Sequence, residues 1–260
     1  MLLNYQIKQT TDYDAADKAK VIFVIHGLFG SLSNLSTLAN ELQAKHNVIL
    51  IDVRNHGKSP QSETMTYPDM VSDIFELANH LDVEQFSIVG HSMGGKIAMG
   101  CALTAPERIK SVVIADISPV CYPDKHSEVF NGLLLLDFKK IQNRLQASEQ
   151  LSRYIDSPDV RQFLLKSLQK KGEHFEFLFN LNALANNYSH IRDWPFSGKT
   201  FPHPALFIKG GNSDYILPEY QKTIMKQFPN AQPKIIANAG HWLHAEKAKT
   251  FNRLVTQFFS

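Results

Sequence analysis

The sequence predicts an α/β fold: a mostly parallel, doubly wound sheet with a block of helices inserted between two of its strands. Three observations carry this. Short apolar runs recur along the chain, each ending in glycine or a polar turn. Segments between them repeat apolar residues at helical spacing. One long stretch, 121–199, holds helical patterns and no convincing strand.

"YQIKQT" near the start alternates in polarity and predicts an antiparallel edge strand. The other runs are "VIFVIHG" (21–27), "NVILIDV" (47–53), "FSIVGHS" (86–92), "SVVIADI" (111–117), "ALFIKGG" (205–211) and "PKIIANAGH" (233–241). Unbroken apolarity marks strands covered on both faces, as in a parallel sheet. Met70, Ile74, Leu77 and Leu81 fall on one helical stripe, as do Phe251, Leu254, Val255, Phe258 and Phe259. Within the inserted stretch, "HSEVFNGLLLLDF", "IQNRLQASEQLSRYI", "SPDVRQFLLKSLQ" and "HFEFLFNLNALANNY" read as helices. Ser157-Pro158 reads as an N-cap followed by proline at the first helical position. The expected organisation is a core of 1–120 and 200–260 with a helical cap or lid at 121–199; the alternative is an extra helical layer packed for stability.

With 260 residues, 43% of them hydrophobic, the chain can fill one large domain without metal or disulfide support. A net charge of +2 is too small to suggest nucleic acid or an anionic membrane as partner. Two cysteines without a C-x-x-C spacing fit reduced thiols in a cytoplasmic protein. "MLLNYQIKQTTDYD" lacks the charged and apolar regions of a signal peptide, and no run reaches the length of a membrane span. Nothing in the sequence speaks to oligomeric state.

"VGHSMGGK" sets Ser92 in a G-x-S-x-G frame between an apolar strand and a helix-like segment. That setting predicts a nucleophile elbow, in which a sharp turn lifts the serine oxygen above the sheet edge. The alternative is a helix-capping serine. A nucleophilic serine needs a base, and His241, at the end of the last strand, is the candidate. His244 competes but reads as a helix-start or pocket residue. A His241/His244 metal pair lacks a third ligand in a recognised spacing, so no metal is expected. His91 reads as a neighbour of the elbow, and His46, His80, His126, His174 and His190 as surface or packing residues. The backbone N–H of Met93 and that of Leu28, with Phe29 as alternative, would hold a developing oxyanion. His26 would tie down its own turn.

Taken together, "HGLFGS", "DVRNHGKS", "GHSMGGK", "GGNS" and "AGHWLHAEKA" resemble the α/β-hydrolase superfamily. More narrowly they resemble its YbfF-type esterase subgroup, the bacterial relatives of the abhydrolase-domain-11 proteins. The likeness runs from about residue 20 to the C-terminus and is weakest in the inserted stretch. It implies an α/β-hydrolase fold, Ser92 and His241 as nucleophile and base, and hydrolysis of carboxylic esters or thioesters without a cofactor. Serine at the elbow separates the chain from the dehalogenase and epoxide-hydrolase branches, which carry aspartate there.

Chain order leaves two acids to orient the histidine, Asp116 after "VVIA" and Asp214 after "GGNS". The subgroup resemblance favours Asp116, with Ser213 adding a hydrogen bond. Asp52, with Arg54, His56 and Gly57, is expected to fix a turn. Lys96 reads as a helix-surface or packing lysine, or as a contact for an acidic leaving group such as coenzyme A. Phe130, Phe175, Phe177, Phe179, Tyr188 and Trp194 either line an acyl pocket or pack the cap. Small to medium acyl groups are expected. Alternatives are an acyl-CoA or other thioester hydrolase, a C–C hydrolase, lyase or perhydrolase on the same machinery, and a non-catalytic binding protein.

Overall fold

The computed structural model describes residues 1–10, 20–172 and 174–260. Residues 11–14 of the N-terminal stretch read above, and Glu173 of the inserted stretch, lie outside the described residues.

The strands are β1 (Tyr5–Lys8), β2 (Val21–Ile25), β3 (Asn47–Ile51), β4 (Phe86–His91) and β5 (Ile109–Ala115), then β6 (Leu168–Lys171) and β7 (His174–Phe177), then β8 (Ala205–Gly210) and β9 (Ala231–Ile236). Seven of them form one sheet in the order β1-β3-β2-β4-β5-β8-β9. Only β1 runs antiparallel, on β3 at the edge, as its alternation predicts. The α-helices are α1 (Ser36–Leu42), α2 (Tyr67–His80), α3 (Met93–Thr104), α4 (Ser127–Leu134), α5 (Arg144–Leu151), α6 (Pro158–Lys166), α7 (Leu181–Asn186), α8 (Tyr188–Arg192), α9 (Gln221–Gln227), α10 (Leu243–Glu246) and α11 (Ala248–Phe259). No helix among the described residues is long and apolar enough to cross a membrane.

The sheet is buried on both faces because side chains alternate across a strand. Ile22 and Val24 of β2 face a core shared with Leu38 of α1 and with Phe251, Val255 and Phe259 of α11. Phe23 and Ile25 face the opposite core with Met70 and Ile74 of α2 and Ile97 of α3. α2 starts at a capping box, Thr66 accepting from the Asp69 N–H while the Asp69 carboxylate takes the Thr66 N–H.

Strand register positions the site. Ile25 pairs with Gly90, His91 with Ala115, and Ala115 with Ile208. The loops after β2, β4, β5 and β8 therefore leave the sheet along one carboxyl-terminal edge, where ligands bind in such sheets.

The stretch between β5 and β8 departs from the sequence reading. "HFEFLFNLNALANNY" is not one helix: His174–Phe177 is β7, and helix begins only at Leu181. The tail of "SPDVRQFLLKSLQ" enters β6, which pairs antiparallel with β7. Gly172 takes φ +62° beside β6, a conformation that favours glycine. The "HFEF" alternation then has a partner: Leu168 opposes Phe177, and Gln169 hydrogen-bonds Glu176 at 3.1 Å across the ladder.

Candidate active site

Ser92 sits in the turn between β4 and α3 with φ 53° and ψ −118°, a conformation that costs a non-glycine residue about 1–3 kcal/mol. Its N–H is tied to Ala115 O at 2.9 Å. The turn closes only because its flanks are bare. A Cβ on Gly90 would lie 2.1 Å from the Gly94 carbonyl oxygen, and one on Gly94 would lie 2.4 Å from Ile25 O. The two flanking glycines of the motif are thus required by backbone contact.

The His241 imidazole bridges two groups. Its Nε2 accepts from Ser92 Oγ at 2.9 Å, and its Nδ1 donates to Asp116 Oδ2 at 2.8 Å. Asp116, at the end of β5, is 0% exposed and also takes a positive φ of 54°. Its carboxylate accepts the Gly210 N–H at 2.9 Å and the Ser213 hydroxyl. Two further contacts hold the imidazole loop. The Tyr215 ring stacks on His241 at 3.9 Å and 21°, and the His91 Nε2–H donates to the His241 carbonyl at 2.9 Å. Asp214 is elsewhere: 70% exposed and paired with Lys125 at 2.6 Å, which holds its carboxyl below the ordinary aspartate value.

The loop after β2 is pinned by two neutral imidazoles. His26 donates from Nδ1 to Gly27 O at 2.7 Å and accepts the Val53 N–H at 3.1 Å. His56 donates from Nδ1 to Arg54 O at 3.0 Å and accepts the Phe29 N–H at 3.1 Å. Burial pushes the His56 pKa down to about 3 and also lowers that of His26, so both stay neutral. The Phe29 amide is therefore committed to His56. Neither Leu28 N–H nor Met93 N–H, the latter at the first position of α3, has an acceptor among the described residues. Asp52 fixes the adjoining turn, accepting from Leu32 N–H at 2.7 Å and Lys58 N–H at 3.0 Å.

A cavity of about 240 Å³ opens over Ser92. Of the six aromatics singled out in the inserted stretch, Tyr188 lines it. Phe130 and Phe179 instead pack on Phe29, Phe177 stacks on Phe179, and Trp194 packs on Phe196. Walls that sequence reading missed include Tyr67, Tyr122, Phe163, Tyr215, Trp242 and His126. Tyr215 and Trp242 stood in view, two residues after Ser213 and one after His241; the others are brought in by tertiary packing alone. Lys96 is not on a helix surface: it is 1% exposed and lines the cavity. His244 is buried against the His91 ring at 4.3 Å, outside the cavity. Among the described residues no three His, Cys, Asp or Glu side chains form a group that could hold a metal ion.

Known proteins resemble this chain over most of its length. A family model described as alpha/beta hydrolase fold matches residues 20–151. The chain is 39% identical over 240 residues to Esterase YbfF of Escherichia coli (strain K12), covering 92% of each chain. It is 37% identical over 247 residues to the sn-1-specific diacylglycerol lipase ABHD11 of Mus musculus, covering 92% of this chain and 80% of that one. Among solved structures, a marine microorganism esterase superposes with TM-score 0.92 at 34% identity, covering 99% of both chains.

Proposed function

Because this chain belongs to the α/β-hydrolase superfamily and groups with its YbfF-type esterases, we propose that it hydrolyses carboxylic esters through an acyl-enzyme on Ser92. The single observation behind the mechanism is the continuous line Ser92 Oγ, His241, Asp116, joined at 2.9 and 2.8 Å. Ser92 Oγ attacks the ester carbonyl as its proton passes to His241 Nε2. Asp116 keeps the Nδ1–H tautomer and balances the imidazolium. The oxyanion of the tetrahedral intermediate takes the N–H groups of Leu28 and Met93. The imidazolium then gives its proton to the departing alcohol as the carbon–oxygen bond breaks. Water attacks the acyl-enzyme with His241 again as base, releasing the acid and restoring Ser92. No step calls for a cofactor.

The volume of 240 Å³ suits small to medium acyl groups. Residues 121–199 act as the cap, supplying Tyr188, Phe163 and Val160 to the cavity above a core of 1–120 and 200–260. Both cysteines are free, Cys101 buried and Cys121 exposed, which suits a cytoplasmic setting.

A fluorophosphonate probe should label Ser92, read by peptide mass spectrometry. Ser92→Ala should lower kcat on p-nitrophenyl butyrate by about 10⁴-fold or more. A variant retaining most of its activity would overturn the mechanism.

A further inference from the structure

Lys96 lies one helical turn beyond Ser92, its N–H bonded to Ser92 O at 3.1 Å, so the two side chains share a face of α3. At 1% exposure it is among the most buried side chains of the protein. Its Nζ donates to Arg192 O at 2.9 Å and Asp193 O at 2.8 Å, the carbonyls at the end of α8. The Tyr67 and Tyr122 rings stand 5.3 and 4.9 Å from it. An ammonium has three donors, and two are taken. No carboxylate of the described residues lies within ion-pair distance of it. Burial in these surroundings lowers the Lys96 pKa to about 7, which expresses what a cation without a counter-ion costs there.

The rest of the cavity has the same sign. Its lining includes Lys96, Lys125 and Arg192 and no aspartate or glutamate. Lys125 is balanced by Asp214 at 2.6 Å. Arg192 bonds the Tyr122 carbonyl at 3.1 Å. Lys96 is therefore the innermost basic group lacking an anion.

We propose that the cavity selects esters whose acyl chain carries a second, free carboxylate, and that Lys96 is the counter-ion that receives it. The proposal rests on the hydrolytic reading of Ser92. The depth of Lys96 argues against the phosphates of a bulky leaving group, which would have to reach a side chain that solvent scarcely touches. Lys96 borders the cavity over Ser92, so an acyl chain lying in that cavity can bring a carboxylate at its far end to it. Ser92 and Lys96 are about 6 Å apart along the helix axis at 1.5 Å per residue. With Ser92 and Lys96 lining one cavity, the half-ester of a short dicarboxylic acid would set its carboxylate on Nζ with the ester carbonyl at Oγ. Ionised hydrogen bonds of this kind are strong when desolvated and well aligned.

The test compares monoethyl succinate, glutarate and adipate with ethyl butyrate, valerate and hexanoate, following ethanol release. For at least one chain length, kcat/KM for the acidic ester should exceed that of its neutral counterpart by about tenfold or more. Lys96→Met should bring that ratio to one or below, whatever happens to the activity common to both esters. If Lys96→Met lowers both series equally and keeps the ratio, Lys96 only pins α8 and the proposal fails. A wild-type enzyme favouring the neutral ester at every length also overturns it. Should Lys96→Met not fold, the wild type decides. Glutarate should protect Ser92 from the fluorophosphonate at concentrations well below those needed with butyrate, and equal protection refutes selection. If neither series is hydrolysed and Ser92 is not labelled, the hydrolytic reading itself fails and this proposal falls with it.

Discussion

Replacing Asp116 by asparagine removes one charge and inverts one hydrogen-bond site. Three donors converge on the carboxylate: Gly210 N–H on Oδ1, and Ser213 O–H and His241 Nδ1–H on Oδ2. An asparagine has one oxygen to offer. Facing it to Gly210 sets the NH₂ against Ser213 and His241. The imidazole must then take the other tautomer, with its Nε2–H toward Ser92 and no lone pair to accept the serine proton. The opposite amide orientation leaves Gly210 N–H against an NH₂ in a site that is 0% exposed. Loss of the productive tautomer predicts a fall in kcat of about 10⁴, equivalent to about 5 kcal/mol on the barrier. Asp214→Asn breaks only the 2.6 Å pair with Lys125, at a carboxylate 70% exposed. Such surface pairs contribute up to about 1 kcal/mol, so kcat should change by less than about fivefold. Steady-state hydrolysis of p-nitrophenyl butyrate, with thermal melts to confirm folding, makes the comparison. If Asp214→Asn costs more than Asp116→Asn, or Asp116→Asn stays within about tenfold of wild type, the assigned acid is wrong.

Tyr215→Leu should lower kcat by about three- to thirtyfold through loss of the ring stacked on the imidazolium, while Tyr215→Phe keeps near wild-type kcat; equal losses in the two variants would assign the effect to the hydroxyl instead. Gly90→Ala drives a Cβ to 2.1 Å from a backbone oxygen, so urea denaturation should show a loss of about 3 kcal/mol or more, together with lost labelling of Ser92. His244 has a buried Nδ1 without a partner, and burial lowers its pKa to about 3. Below its unfolded value near 6.5 the unfolded chain takes up a proton that the folded chain refuses, so stability falls as pH drops from about 6.5 toward 3. His244→Leu should thus gain about 2 kcal/mol more, relative to wild type, at pH 5 than at pH 8. A gain independent of pH would show that His244 is not held neutral.

The parts of the fold legible in the sequence are those where one local cause dominates. Runs such as "VIFVI" and "FSIV" can only be satisfied by cover on both faces, and a serine framed by glycines after such a run has few other uses. The acid was harder, since Asp116 and Asp214 both follow strands. What separates them is burial and convergence of donors from Gly210, Ser213 and His241, which are distant in sequence. The β6–β7 hairpin was missed because Phe175, Phe177 and Phe179 sit beside "LNALANNY", whose helical spacing masks a four-residue alternation. The surroundings of Lys96 were illegible for a different reason. Its acceptors are carbonyls of Arg192 and Asp193, and backbone oxygens leave no mark in composition.

Five other imidazoles lie in and around the loops that carry the candidate site, and burial lowers the pKa of every one: His26, His56, His91, His126 and His244. Ordinarily so many histidines would blur a kinetic titration, each adding its own inflection near neutrality. Here His56 and His244 are displaced to about 3 and His126 to about 4, below the range in which the enzyme would be assayed. His56, His126 and His244 should therefore add no inflection near neutrality to the activity profile. The hydrophobic packing around the loops acts as a filter on proton traffic, keeping these buried rings out of the exchange during turnover.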